Sequence, residues 1–157
     1  MTERDAEGKE LDLKLIRVIR NMVKELYGSL ERDIVSYGLS GETFQILEFL
    51  YNKGPQPIQK ISDTFSIPSG SITYVVDKLE KKGFVERLPI PGDRRKANVT
   101  LTAEGRSYFD NIFPRHVQTI SDNLSFATDR EKLELIHVLK KIGYGIKNCE
   151  GNTNNDG

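Results

Sequence analysis

The 157 residues are enough for one domain, or one compact subunit with two lobes, built on a real core. A hydrophobic fraction of 37% beside 29% charged residues suits a helical protein with much exposed helix surface, or one that completes its core by oligomerising. The 23 basic and 23 acidic side chains cancel, so total charge lends no support to a nucleic-acid partner, and one cysteine, Cys149, excludes an intrachain disulfide and a multi-cysteine zinc site.

The distribution of charge says more than its sum. Residues 1–50 carry 7 basic and 10 acidic side chains, residues 51–96 carry 9 and 5, and residues 97–157 carry 7 and 8. Positive charge gathers in the central segment, as a local footprint for a polyanion requires. No apolar run approaches the ~20 residues needed to cross a bilayer. The charged start MTERDAEGKELD has no signal-peptide apolar region. No membrane partner and a cytoplasmic location are therefore expected.

In chain order, residues 1–10 are expected to be a flexible lead-in. From Leu11 a long helix is predicted, with Leu15, Val18, Ile19, Met22, Val23, Leu26, Leu30 and Ile34 repeating at spacings of three and four. Gly38 closes it and Ser40 caps the next helix. That helix, Thr43–Asn52, is apolar on so many sides that it belongs at the centre of the subunit. Gly54-Pro55-Gln56-Pro57 forces an extended connection. A short helix over Ile58–Phe65 and the turn Ser66-Ile67-Pro68 follow.

Next comes a helix whose Ile72, Val75, Val76 and Leu79 fall at i, i+3, i+4 and i+7. Its opposite face, Gly70, Tyr74, Asp77 and Lys81 flanked by Ser71, Thr73 and Lys78, is polar and faces water. Two short helices separated by a turn, the second showing a polar face, form a helix-turn-helix pattern. Phe84–Leu88 and Ala97–Leu101 then cluster β-formers around a turn with Pro89, Pro91 and Gly92, which reads as a hairpin with a basic tip. A polar-faced helix followed by a basic hairpin suggests a winged helix that binds double-stranded DNA.

After the hairpin, Thr102 caps a helix with Tyr108, Phe109, Ile112 and Phe113 on its apolar side, and Pro114 should interrupt it. Thr128-Asp129-Arg130-Glu131 is a capping box opening a last helix. The tail is expected to be disordered. The fold class is thus mainly α with a small β-hairpin wing. It divides into a flexible 1–10, a helical region of 11–36 and 103–148, a winged helix-turn-helix over 40–102, and a tail of 149–157.

Four features make the chain resemble the MarR family of bacterial transcription regulators. They are the central helix, the segment ITYVVDKLEKKGFVERLP, the wing PGDRRKANVTLT with its D-x-R (Asp93, Arg95), and the L-T-x-x-G of Leu101, Thr102 and Gly105. The stretches YNKGPQPIQKI and SITYVVDKLEKKGFVER also look like the MhqR-type branch, which responds to quinone-like aromatic electrophiles. The resemblance implies a homodimeric repressor, built through its terminal helices, with two winged lobes reading a pseudo-palindrome. It also implies a ligand bound between the helical region and the DNA-binding lobe, where an apolar, aromatic lining would favour an aromatic effector.

Ser69, Ser71, Thr73 and Tyr74 occupy the first turns of the recognition helix, where docked side chains reach the major groove, and Lys78 follows them. Hydroxyls read bases with less discrimination than a bidentate arginine. Many family members carry arginine at the position of Tyr74; here the ring either contacts DNA or packs on the short helix. Arg95 matches the family arginine that enters the minor groove. Asp93 matches the aspartate that pairs with an arginine to hold the wing, and Arg94 and Lys96 read as phosphate contacts. For Lys81 and Lys82 a solvated surface competes with contact. Tyr37, Phe44, Tyr108, Phe109, Phe113 and His116 are the candidate lining of an effector crevice, with plain core as the alternative for each.

Thiol-sensing relatives use a cysteine near the start of the first helix; residues 1–148 contain none. No cofactor and no metal site are expected. The competing reading is a winged-helix module for protein–protein contact. Catalysis finds no support: His116 and His137 belong to separate helices, and HExxH, GxSxG, Walker and GxGxxG motifs are absent from the sequence.

Overall fold

The computed structural model describes residues 3–90 and 92–153, and the side chains of 8–68, 70–90, 92 and 97–149. Six helices and three short strands are described: α1 (Glu3–Ser36), α2 (Gly41–Lys53), β1 (Gln56–Pro57), α3 (Ile58–Phe65), α4 (Ser69–Lys81), β2 (Val85–Ile90), β3 (Asp93–Leu101), α5 (Ala103–Asn123) and α6 (Asp129–Thr153). The chain divides into two compact units, residues 1–120 and 121–157.

In the first unit α1 starts at Glu3 rather than Leu11. Residues 3–10 lack an apolar stripe, but they are rich in Glu, Lys, Arg and Ala, which propagate a helix without packing. Ser40 caps α2 through a reciprocal box with Thr43: the Thr43 N–H donates to Ser40 Oγ (3.3 Å) and the Ser40 N–H donates to Thr43 Oγ1 (2.9 Å). The core is continuous from α1 to α5. Ile46, Leu47, Ile61, Val76, Leu79, Val99 and Phe109 are wholly buried, and α2 lies at its centre.

Three features differ from the sequence expectations. The expected two-stranded hairpin is a three-stranded antiparallel sheet of order β1-β3-β2, because Gln56 and Pro57 pair with Val99 and Asn98. The extended backbone that the prolines impose is thus used as a strand. Second, α5 runs through Pro114 undivided. Proline removes one ladder bond, and the burial of Phe109, Ile112 and His116 on either side of it holds the helix in place. Third, in the second unit α6 continues through Thr153, past the expected start of the tail; residues 154–157 lie outside those described.

The expected capping box of α6 is present: the Thr128 N–H and hydroxyl both donate to Glu131 Oε2, at 2.8 and 2.7 Å, and the Glu131 N–H donates back to Thr128 Oγ1. Both units expose aliphatic surface. In the first unit Leu11, Leu15, Val18 and Met22 of α1 face solvent, and in the second Leu133, Ile136, Leu139 and Ile142 of α6 do so.

Candidate nucleic-acid interface and effector crevice

The helix-turn-helix is built from α3 and α4. Ser66 ends α3 in the left-handed conformation (φ 53°), and the buried Ser62 hydroxyl donates to the Ile67 carbonyl (2.6 Å), which fixes the turn. Pro68 precedes α4 as its N-cap with the extended backbone that admits the first helical turn. Ile72, Val75, Val76 and Leu79 then dock on the core, as their spacing predicts. The opposite face is open. Ser71 and Thr73 are exposed, and Tyr74 is 68% exposed, so its ring is not packed on α3. Ser71, Tyr74 and Lys78 line one wall of a cleft of about 440 Å³, opposite Ser40, Glu42 and Thr43 at the start of α2.

The side chains of Ser69, Asp93, Arg94, Arg95 and Lys96 lie outside those described; their backbones belong to the first turn of α4 and the start of β3. Gly92 at the tip takes φ 87°, which fits the turn between β2 and β3. Of the neighbouring lysines, the Lys82 ammonium donates to the Gly38 carbonyl (3.2 Å), so it ties the end of α4 to the loop after α1, while Lys81 is exposed.

Sequence reasoning missed the residue that joins α4 to the wing. Arg87 on β2 donates through Nη2 to Asp77 (2.5 Å) and through Nη1 to Glu80, both on α4. These carboxylates sit on the recognition helix, where free negative charge would repel a phosphate backbone. One guanidinium neutralises part of both and fixes the strand against the helix. The wing's other root is a corner at which Thr102 acts three times. Its hydroxyl donates to the Gly83 carbonyl (2.5 Å) and accepts from the Gly105 N–H (2.9 Å), and its own N–H donates to the Phe84 carbonyl (3.1 Å). A Cβ on Gly105 would overlap the Phe84 backbone. The L-T-x-x-G pattern is therefore a close backbone crossing with its own cap.

The first unit also holds a partly buried polar cluster on Asp33, in which His116 is the buried member. The Asp33 carboxylate accepts from the Tyr37 hydroxyl (2.8 Å) and the Thr119 hydroxyl (3.0 Å), and it meets His116 Nδ1 at 2.7 Å. Burial raises the Asp33 pKa, but the hydrogen bonds from His116, Tyr37 and Thr119 outweigh it, and the net shift is downward. Burial and the bond to Asp33 push the Tyr37 phenol up to about 12. Beside this cluster a crevice of about 270 Å³ opens between α1, α2 and α5, with Tyr27, Leu30, Ile34, Phe44 and His116 among its walls and Glu31, Gln45 and Glu48 as its acidic and polar members.

Of the six aromatic candidates, Phe44 and His116 line this crevice, their rings 4.6 Å apart. The other four lie elsewhere. Phe109 is wholly buried core, and Phe113 stacks on it at 5.3 Å. Tyr37 is committed to Asp33, and Tyr108 donates its hydroxyl to the Tyr37 carbonyl while stacking on Phe84 at 4.4 Å. Asp33 itself had no signal in the sequence, because its partners lie up to 86 residues away. Among the described residues no group of three His, Cys, Asp or Glu side chains could hold a metal ion, and no helix is long and apolar enough to cross a membrane.

A winged helix-turn-helix with an exposed recognition helix defines a class, and comparison with known proteins places the chain within it. Residues 39–97 match the family model described as "MarR family". The chain is 37% identical over 138 residues to the HTH-type transcriptional regulator MhqR of Bacillus subtilis, covering 88% of this chain and 95% of that protein. It is 31% identical over 142 residues to the HTH-type transcriptional regulator PecS of Dickeya dadantii, covering 87% and 86%. Among solved structures, wild-type MarR of E. coli in its apo form superposes with a TM-score of 0.70 at 25% identity, over 82% of this chain and 96% of that one. A mutant of the same protein, complexed with operator DNA, gives 0.69 over 82% and 93%. This chain belongs to the MarR family, and its relatives there are transcriptional regulators.

Proposed function

We propose that the protein is a homodimeric transcriptional repressor that binds a pseudo-palindromic operator and is released from it by a small aromatic ligand. The observation that carries the proposal is the polar face of α4, on which Ser71, Thr73, Tyr74 and Lys78 are exposed while the opposite face is buried in the core. Each lobe presents this face to a major groove, and the two recognition helices of the dimer reach half-sites about one helical turn, roughly 34–36 Å, apart. Phosphate contacts by Arg94 and Lys96 supply affinity without sequence information, and Arg95 enters the minor groove. The exposed aliphatic faces of α1 and α6 are the surfaces a second copy covers. The protein works where the DNA is, in the cytoplasm, and performs no catalysis.

The crevice at Phe44 and His116 is the effector site in this reading. A quinone-like aromatic compound is the effector class that the resemblance to the MhqR-type branch leads us to expect, and the rings of Tyr27 and Phe44 in the crevice wall support an aromatic ligand. A ligand there touches α1, α2 and α5 at once, so a small change in their packing turns the winged lobe and breaks the operator register. The test is a pair of titrations with operator recovered from host genomic DNA by the purified dimer. Arg95→Ala weakens binding by roughly 1–3 kcal/mol and leaves the dimer intact by light scattering. Unchanged affinity at fixed salt refutes the placement of Arg95.

A further inference from the structure

The crevice's charge says what kind of aromatic molecule it accepts. Among the described residues of one protomer its walls hold two carboxylates, Glu31 and Glu48, and neither lysine nor arginine. The remaining lining combines the rings of Tyr27 and Phe44 with the side chains of Leu30 and Ile34. Aromatic faces carry negative quadrupole density and attract cations, the more so when water is partly excluded. At the inner wall His116 has Nδ1 committed to Asp33 (2.7 Å), so Nε2 is the ring nitrogen left to meet a ligand hydroxyl.

Resting on the effector-site reading above, we infer that the crevice selects aromatic ligands by charge, preferring a ring that carries an ammonium group and rejecting an aromatic carboxylate. A carboxylate entering would meet Glu31 and Glu48 and find neither lysine nor arginine among the described lining side chains, while the Nδ1 of His116 is already committed to Asp33. A neutral ring gains the apolar contacts alone. An aromatic ammonium gains those contacts, the attraction of both carboxylates, and a cation–π contact. The ordering is ammonium, then neutral, then carboxylate, in steps of a few-fold, the size of one solvent-exposed charge pair.

Three molecules of one shape test it against the full-length dimer by calorimetric titration: tyramine, 4-propylphenol and 3-(4-hydroxyphenyl)propionate. All three carry the same phenol, and they differ at the end of a short chain. The expected result is tightest binding of tyramine and weakest binding of the propionate. In the double variant Glu31→Gln, Glu48→Gln the neutral phenol binds as before, which shows an intact crevice, and the advantage of tyramine disappears. Equal binding of the three, tightest binding of the propionate, or an ordering unaltered in the double variant overturns the charge selection while leaving an effector crevice in place. Binding of none of the three at millimolar concentration overturns the crevice reading and the inference with it.

Discussion

Replacing Gly105 by alanine sets two effects of opposite sign against each other. Gly105 lies in the first turn of α5, where alanine is the better helix former by up to about 1 kcal/mol. The new Cβ, however, would occupy the space of the carbonyl oxygen, carbonyl carbon and Cα of Phe84. All three are backbone atoms, and no rotamer change can move them aside. The Phe84 carbonyl is also the acceptor of the Thr102 N–H at 3.1 Å, so a shift that relieves the overlap weakens that bond. Overpacking costs typically 1–3 kcal/mol, and a lost backbone hydrogen bond adds about 1 kcal/mol. The overlap wins, with a net loss of roughly 1–3 kcal/mol and a fall in melting temperature of about 2–12 °C. Thermal unfolding followed by circular dichroism at one protein concentration measures it. Gly28→Ala is the control: its added Cβ would meet only the flexible end of Arg32, at 3.5 Å, and it should leave stability unchanged or raised. A Gly105→Ala protein as stable as wild type refutes the reasoning.

Further predictions concern the wing tie and the Asp33 cluster. Arg87→Met keeps the aliphatic stem but frees Asp77 and Glu80, so operator affinity falls and stability drops by about 1 kcal/mol, discounted because the group is partly exposed; fluorescence anisotropy should show the affinity loss shrinking as salt rises. Asp33 has a folded pKa below its ordinary 3.8, so the stability it contributes is present above about pH 4 and is lost as pH falls through the lower folded value. Urea unfolding of wild type against Asp33→Asn should therefore show a gap of roughly 1–3 kcal/mol at pH 7 that narrows below pH 4. Tyr37 is raised to about 12, so its contribution is complete below pH 10 and lost as pH climbs through that value. The ultraviolet difference titration between wild type and Tyr37→Phe should show one phenol ionising near the raised value.

The helices were legible wherever apolar period and cap chemistry coincided, as at Ser40, along Ile72–Leu79 and at Thr128–Glu131. The start of α1 was not, because its first residues are helical by propensity and carry no apolar stripe to mark them. Strand β1 escaped because two residues beside prolines have no period at all. Arg87 and Asp33 were invisible for a shared reason. Each is one charged residue among many, and its meaning depends on a partner that only the tertiary register brings near, Asp77 and Glu80 for the first and His116 for the second. The crevice between α1, α2 and α5 was half legible. An aromatic side chain announces burial, but whether it fills a core, as Phe109 does, or walls a cavity, as Phe44 does, is decided by packing.

The order of the small sheet leaves β1 and β2 as its two outer strands, and each contains a proline, Pro57 in one and Pro89 in the other. A proline offers no N–H to an incoming strand, and β1 is too short to template one. Neither outer strand is therefore a long, uninterrupted edge that a strand of another copy could join.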